Sequence, residues 1–408
     1  MKFKNFTKAI FLITIIFSWL IPTNNAEAVP AFARQMGVPC NGCHFQYFPK
    51  LNSFGRDFKI GGFTQGAQEL IEDDGISLPP VLNASFYAAL TYNKRELKTA
   101  STPEKKGRER GELLIPEDAA FFIGGRLGEN MGTLTEFAGT GVESFKLVYS
   151  RDFGGVQGGV AAFSTETMGP AYGMEGWNTG AEMHIQPGVN MMQSSAQSII
   201  TSNAGAAVGI TFFGSSDLFF VAAGLWGPVS VGTDTGLELS TYYRIALTPK
   251  LGEWDSMIGV VGTSGSTKCV ECKGTGTTET EFKTNVTALN GQLQGDISGM
   301  SLGVYFDYVL ETDTDAKNIY NAMGTKQQGF GLQADLGVTN TTGVRAAFMN
   351  KEWKMSGDKK LTATTLGFWH QIRQNVVLAV DYTTYGDDKI VMGTPVNSDL
   401  MAILKVGI

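Results

Sequence analysis

The sequence predicts an all-β protein: a transmembrane antiparallel β-barrel of about sixteen strands, preceded by a small N-terminal segment of different character. Three observations predict it. From Val81 onward, stretches of about ten residues alternate apolar and polar side chains with period two, the pattern of a strand that faces lipid on one side and a lumen on the other. The links between these stretches run short and long nearly in turn. Gly accounts for 51 of 408 residues, aromatics for 11% and charged residues for only 17%, whereas a soluble domain carries about a quarter charged residues.

The chain opens with a secretory signal at 1–28. Lys2, Lys4 and Lys8 form a basic start, Ala9 to Ile21 is an apolar run broken by Pro22, and Ala26-Glu27-Ala28 is an A-x-A cleavage site. The mature chain is expected to begin at Val29. The apolar run is too short to span a bilayer as a helix. Its removal takes away three lysines and Glu27, which changes the net charge from −7 to −9. A mildly acidic surface argues against nucleic acid as a partner and suits cations or basic cytochromes.

Residues 29–80 form one unit, organised around Cys40-Asn41-Gly42-Cys43-His44. Two cysteines two residues apart with His directly after them read as a c-type haem attachment site. The two thiols reach the two vinyl groups on one edge of the porphyrin, and the next residue falls under the iron. His44 is then the axial ligand. A zinc site would need four ligands, and the other two Cys and two His are all distant in sequence. Covalent haem attachment takes place outside the inner membrane, so the export signal and the motif support each other. Pro49 suits the first turn of a short helix. From there Leu51, Phe54 and Phe58 recur on one apolar face expected to pack on the porphyrin. Some fifty residues bury little surface alone, so the unit needs the haem, the rest of the chain, or both.

The barrel is expected over 81–408, with strands near 81–92, 118–127, 132–139, 143–150, 155–164, 205–213, 217–226, 237–247, 256–263, 281–297, 300–310, 328–337, 342–352, 360–370, 374–385 and 399–408. Glu136 interrupts the alternation in the third. Short links such as 128–131, 214–216, 298–299, 338–341 and 371–373 read as periplasmic turns, and longer ones such as 93–117, 165–204 and 264–280 as external loops. An even strand count puts both barrel ends of the chain on the periplasmic side. Sixteen strands leave a lumen, wide enough for a small haem segment as a plug.

Other residues carry candidate chemistry. Cys269 and Cys272 form a second CxxC, followed by Lys273, so it is not a haem site; in an oxidising compartment a loop disulfide is expected. A sixth iron ligand would come from His370, His184, a methionine such as Met36, or none. Arg34, Arg56 and Lys59 flank the haem motif, and one of them is a candidate partner for a haem propionate. The acidic runs Glu279–Glu281 and Glu311–Asp315 would attract Fe(II) electrostatically. No nucleophilic triad or phosphate loop is present, so no catalytic residue is assigned.

The stretch Val29-Pro-Ala-Phe-Ala-Arg-Gln-Met-Gly-Val-Pro-Cys-Asn-Gly-Cys-His44, with Pro49, Leu51, Phe54-Gly-Arg-Asp-Phe-Lys59 and Gly61-Gly-Phe63, resembles the fused outer-membrane monohaem cytochrome c–porins, whose best-known members are associated with bacterial iron(II) oxidation. The resemblance covers about 35 residues and implies one covalently attached haem c, held by Cys40, Cys43 and His44, inside or at the mouth of an outer-membrane barrel. It also implies an electron path across the outer membrane, from extracellular Fe(II) or another donor to a periplasmic c-type cytochrome or other soluble carrier.

Overall fold

The computed structural model describes residues 30–408 except 67, 74–75, 81, 98–110, 140, 166–168, 175–205, 229–237, 270–279, 314, 322–325, 355–358, 387–389 and 392–393. The signal sequence, His184 and Cys272 lie outside the described residues. Sixteen long strands form one closed antiparallel barrel. They are β1 Ala84–Leu97, β2 Glu112–Gly128, β3 Met131–Ala138, β4 Gly141–Asp152, β5 Gln157–Thr165, β6 Ala207–Ser215, β7 Phe219–Gly227, β8 Ser240–Leu247, β9 Trp254–Ser264, β10 Val286–Ile297, β11 Met300–Val309, β12 Lys326–Gly337, β13 Thr342–Lys354, β14 Lys359–Arg373, β15 Val376–Tyr385 and β16 Thr394–Gly407. Each pairs with its neighbour in sequence, and β16 closes the ring on β1 with Ala402 opposite Tyr92 and Lys405 opposite Ala89.

All sixteen expected strands are present, but several ends differ. β2 starts at Glu112 rather than 118, and β16 at Thr394 rather than 399. The alternation marks only the lipid-facing length of a strand. Pairing continues beyond it, where both faces meet water. The expected strand 281–297 is split: Thr280–Lys283 pairs with Ser266–Cys269 in a separate hairpin, and β10 begins at Val286.

The side-chain arrangement inverts that of a soluble protein. Large apolar residues face outward, with Phe212 65% and Leu366 64% exposed, alongside Ile210, Leu225, Ile245, Ile258 and Phe348. Buried polar residues face inward, among them Thr211, Asn290, Gln292, Gln294, Gln333, Asp335, Arg345 and Asp381. Glu136, which broke the alternation in β3, faces inward too and accepts from the Ser144 hydroxyl at 2.9 Å.

Residues 30–66 lie across the rim where β1 begins and β16 ends. They touch strands on every side of the ring. Ser150 of β4 donates to the Ile60 carbonyl at 2.8 Å. Arg56 pairs with Asp255 and bonds Gln294 at 3.1 Å. Gln46 donates to the backbone carbonyls of Ser301 and Asp335 at 3.1 and 3.0 Å. Gln35 accepts from Asn83 at 3.0 Å. The firmest attachment is a buried network on β12, β13 and β15. Arg345 bonds Asp335 at 2.9 Å and forks onto Asp381 at 2.9 and 2.8 Å. It also bonds the Tyr47 hydroxyl, which donates to Asp335 at 3.1 Å. Lys50 lies 3.5 Å from Asp335, and the Tyr47 ring packs on Trp369 with centroids 4.8 Å apart. The segment therefore borrows its core from the barrel, as its length requires.

Removing one member of such a network leaves the others buried and uncompensated, at a cost of about 3–5 kcal/mol. Arg345→Ala should leave Asp381 uncompensated in this way, remove one partner of Asp335 and of Tyr47, and loosen residues 44–52. Faster proteolysis within 44–52 of the folded, detergent-solubilised variant checks this; protection equal to wild type would show that the network does not hold the segment.

Candidate functional site

Three short helices carry the motif: α1 Ala31–Met36, α2 Cys40–Cys43 and α3 Ser53–Ile60. Gly37 ends α1 in the left-handed conformation, which glycine adopts without steric cost. Pro39 then leads into α2, a single turn in which the His44 N–H donates to the Cys40 carbonyl at 2.9 Å. This turn brings Cys40 and Cys43 to the same cavity and sends His44 out beside them. Helix α3 begins at Ser53, not near Pro49. Asn52 caps it by accepting from the Gly55 N–H at 2.9 Å. The same Asn52 donates through its side chain to the Gly42 carbonyl at 2.9 Å and through its backbone to the Cys43 carbonyl at 3.0 Å. One residue thus starts the helix and fastens it to the CxxCH turn.

The His44 ring is oriented by the chain. Its Nδ1 lies 3.1 Å from the Lys50 carbonyl, which accepts when Nδ1 carries the proton. Burial pushes the imidazole below its ordinary value, opposed by its bonds to the Lys50 and Pro49 carbonyls. The ring is therefore neutral at pH 7, which is the form that binds a metal, and the carbonyl supplies the orienting bond that metal-binding histidines have. Burial pushes the Cys40 thiol up, and burial together with Cys40 pushes Cys43 up. A redox dithiol needs a lowered thiol pKa, so the pair does not suit that chemistry.

The cavity has a volume of about 440 Å³, within the range of about 300–1,000 Å³ of cofactor sites. Cys40, Cys43 and His44 share it with Phe32, Leu51, Phe58, Phe63, Phe122 and Leu134, and its polar residues include Lys59, Lys146, Lys405, Asp118, Glu136, Tyr87 and Tyr172. The Phe32 ring stacks on Phe63 at 5.1 Å and meets Phe58 edge-on at 5.1 Å. Two thiols and one imidazole lining a largely apolar cavity of this volume fit covalent attachment of a tetrapyrrole with His44 on its metal.

Several expected site residues stand elsewhere. Leu51 and Phe58 line the cavity as expected, but Phe54 is 41% exposed and does not, because α3 starts too late to align the three. His370 faces outward on β14, between the inward Trp369 and Gln371, and bonds Thr342 at 2.8 Å. The parity of the strand removes it as a ligand within the lumen. Met36 packs on the core beside the cavity without lining it. Among the described residues the cavity holds no second histidine and no methionine. Arg34 donates to the Ala84 carbonyl and Arg56 is committed to Asp255, so of the three expected propionate partners only Lys59 lines the cavity. Lys146, Lys405 and Phe32 were not singled out by sequence; the strand lysines carry no local signal beyond their inward parity.

The acidic run Glu311–Asp315 is engaged locally. Asp313 accepts from Asn285 and Asn318 at 3.0 Å each, Asp315 pairs with Lys283, and Glu311 pairs with Lys326 at 2.6 Å. Glu279 lies outside the described residues, as does the partner needed for a Cys269–Cys272 disulfide. Among the described residues no cluster of three His, Cys, Asp or Glu is placed to hold a metal ion.

No family model and no curated protein matches the sequence. Solved structures with a similar outline include the outer-membrane OmpT of Vibrio cholerae (13% identity, 83% of this chain and 100% of that one, TM-score 0.47). Others are an anion-selective porin from Comamonas acidovorans (12%, 80% and 98%, 0.48) and the outer membrane channel DcaP of Acinetobacter baumannii (10%, 84% and 100%, 0.47).

Two predictions follow from this geometry. A Cβ on Gly55 would stand 2.1 Å from the Cys43 carbonyl oxygen, so Gly55→Ala should force α3 off the CxxCH turn and cost about 1–3 kcal/mol, read as a lowered unfolding midpoint; an unchanged midpoint would show that the close approach is not required. Burial pushes the Lys50 ammonium down to about 7, opposed by Asp335, while the unfolded chain keeps the ordinary lysine value. Between these two values the unfolded state binds more protons, so stability rises with pH, and below the lower one the dependence vanishes. Lys50→Met should flatten that rise in thermal unfolding measured from about pH 6 to about pH 10; an equally steep rise would assign it to another group.

Proposed function

We propose that this protein is an outer-membrane c-type cytochrome in barrel form. It moves electrons across the outer membrane from extracellular Fe(II) to a periplasmic c-type cytochrome or other soluble carrier. The observation that carries this reading is the shared cavity of Cys40, Cys43 and His44, held at one rim of a barrel whose outer face is apolar. Lipid around the barrel and the export signal agree with an outer-membrane location.

The haem, once bound, supplies a one-electron carrier whose potential follows its ligands and burial. Cys40 and Cys43 would hold its edge through thioethers. His44, oriented by the Lys50 carbonyl, would bind its iron. Phe32, Phe58, Phe63 and Leu134, which line the cavity, would exclude water from it. The buried network of Tyr47, Lys50, Asp335 and Arg345 keeps the segment in place as a plug, so the wall conducts electrons without passing solutes freely. The same wire is compatible with a different external donor or acceptor, and a redox titration against several donors separates these.

A second reading, a diffusion porin whose haem segment is a structural plug, is favoured by the closed sixteen-strand ring with its polar inner wall of Thr211, Asn290, Gln292, Thr365 and Thr383. Visible spectra and planar-bilayer conductance of the purified protein separate the two. The cytochrome predicts covalent haem that Fe(II) reduces, low conductance, and loss of reduction in His44→Ala. High conductance with haem indifferent to every donor would overturn it in favour of the porin. Haem that stays oxidised in excess Fe(II) but accepts electrons from another donor would remove iron and keep the wire, and absence of covalent haem would overturn both.

A further inference from the structure

We propose that Lys405 holds a carboxylate at the edge of the cavity's ligand, which on the reading above is a haem propionate. The proposal rests on that reading and adds a binding residue to it. Lys405 stands on β16, two residues before the strand ends, and is 5% exposed. It lines the same cavity as Cys40, Cys43 and His44.

Its surroundings give it no adequate partner. In the sheet Lys405 lies between Ala89 of β1 and Val377 of β15. The inward residues nearby, Ala379, Ile403 and Trp369, belong to one apolar cluster that Tyr87 packs against. Lys405 has no hydrogen bond and no ion pair within 4 Å among the described residues; Asp118 and Glu117 act on it only over the longer range of a charge–charge interaction, and its ammonium lies 5.8 Å from the centroid of the Tyr87 ring. That is the outer limit of a cation–π contact, about 6 Å. A buried ammonium whose nearest carboxylates stand beyond hydrogen-bonding reach is costly, so this one is placed for a ligand that brings a carboxylate into contact.

The other cavity cations are differently placed. Lys146 lies over the Tyr172 ring at 4.0 Å, and Lys59 sits on α3 at the rim. Asp118 and Glu117 are the rival partners for Lys405. Glu117 already accepts from the Thr91 hydroxyl. Lys405 and Asp118 are both opposite Ala89, on its two sides, which puts their backbones about 10 Å apart at the usual strand spacing. Lys405 and Asp118 both line the cavity. A ligand carboxylate therefore belongs at the Lys405 side of this row, away from Asp118.

The test uses the whole purified protein carrying its haem. In the wild type, the resonance Raman propionate-bending mode should shift on exchange into D2O, because its hydrogen-bond donor is an exchangeable ammonium. Lys405→Met should abolish that shift and lower the haem potential, since a cation that favours the added electron is gone; the expected change is about tenfold in the reduction equilibrium, about 59 mV for one electron. Lys405→Arg should retain both properties, and Asp118→Asn should retain the D2O shift. A wild-type mode insensitive to D2O overturns the proposal without any variant, which covers the case where Lys405→Met does not fold. An unchanged mode and potential in folded, haem-loaded Lys405→Met also overturns it, while the haem reading stands. Protein with no covalent haem at all removes the reading on which the proposal rests.

Discussion

Backbone N–H and C=O groups that cross a hydrocarbon layer must be paired within the protein, and a sheet achieves this only by closing on itself. That constraint governs the rest of this molecule. Closure puts alternate side chains on lipid and on the lumen. Charged groups such as Arg345, Asp335 and Asp381 are thereby sent inward, into a space where charges find each other. These three meet in this way from nearby strands, β13, β12 and β15. The result is a polar inner wall with fixed attachment points for whatever occupies the lumen.

The N-terminal segment uses those points. It has little core of its own: three short helices, an aromatic trio of Phe32, Phe58 and Phe63, and two charged side chains, Lys50 and Arg56, each paired with a strand aspartate. Its position follows from the wall more than from its own folding. Asn52 joins the CxxCH turn to α3, and the Lys50 carbonyl sets the tautomer of His44. Lys50 therefore links the orientation of the His44 ring to the buried network through a single residue, its backbone on His44 and its ammonium toward Asp335.

The barrel was legible in the sequence to an unusual degree, since a two-residue period is imposed directly by lipid on one face. Leu289 and Ile297 are exposed outside while Asn290, Gln292 and Gln294 are buried inside, as the alternation says. Strand ends were less legible. At Glu112–Glu117 and Thr394–Ser398 the chain has left the lipid, and pairing with a neighbour persists without a pattern to announce it. Phe54 was misplaced because a helical period was counted from Pro49, whereas the Asn52 cap starts the helix later.

The sequence by itself determined the chemistry that is local: two thiols and an imidazole within five positions, the strand period, and the parity that makes each strand residue inward or outward. Only the tertiary structure decided what those inward residues meet. Arg56 lies 199 positions from Asp255, and Tyr47 lies 298 from Arg345. Nothing in either neighbourhood marks its partner. Lys405 stands in an ordinary alternating strand, and only closure of β16 on β1, with the segment laid across the rim, turns it toward the cavity of Cys40 and His44. Ring closure brings together residues from opposite ends of the chain, and a one-dimensional period carries no information about that pairing.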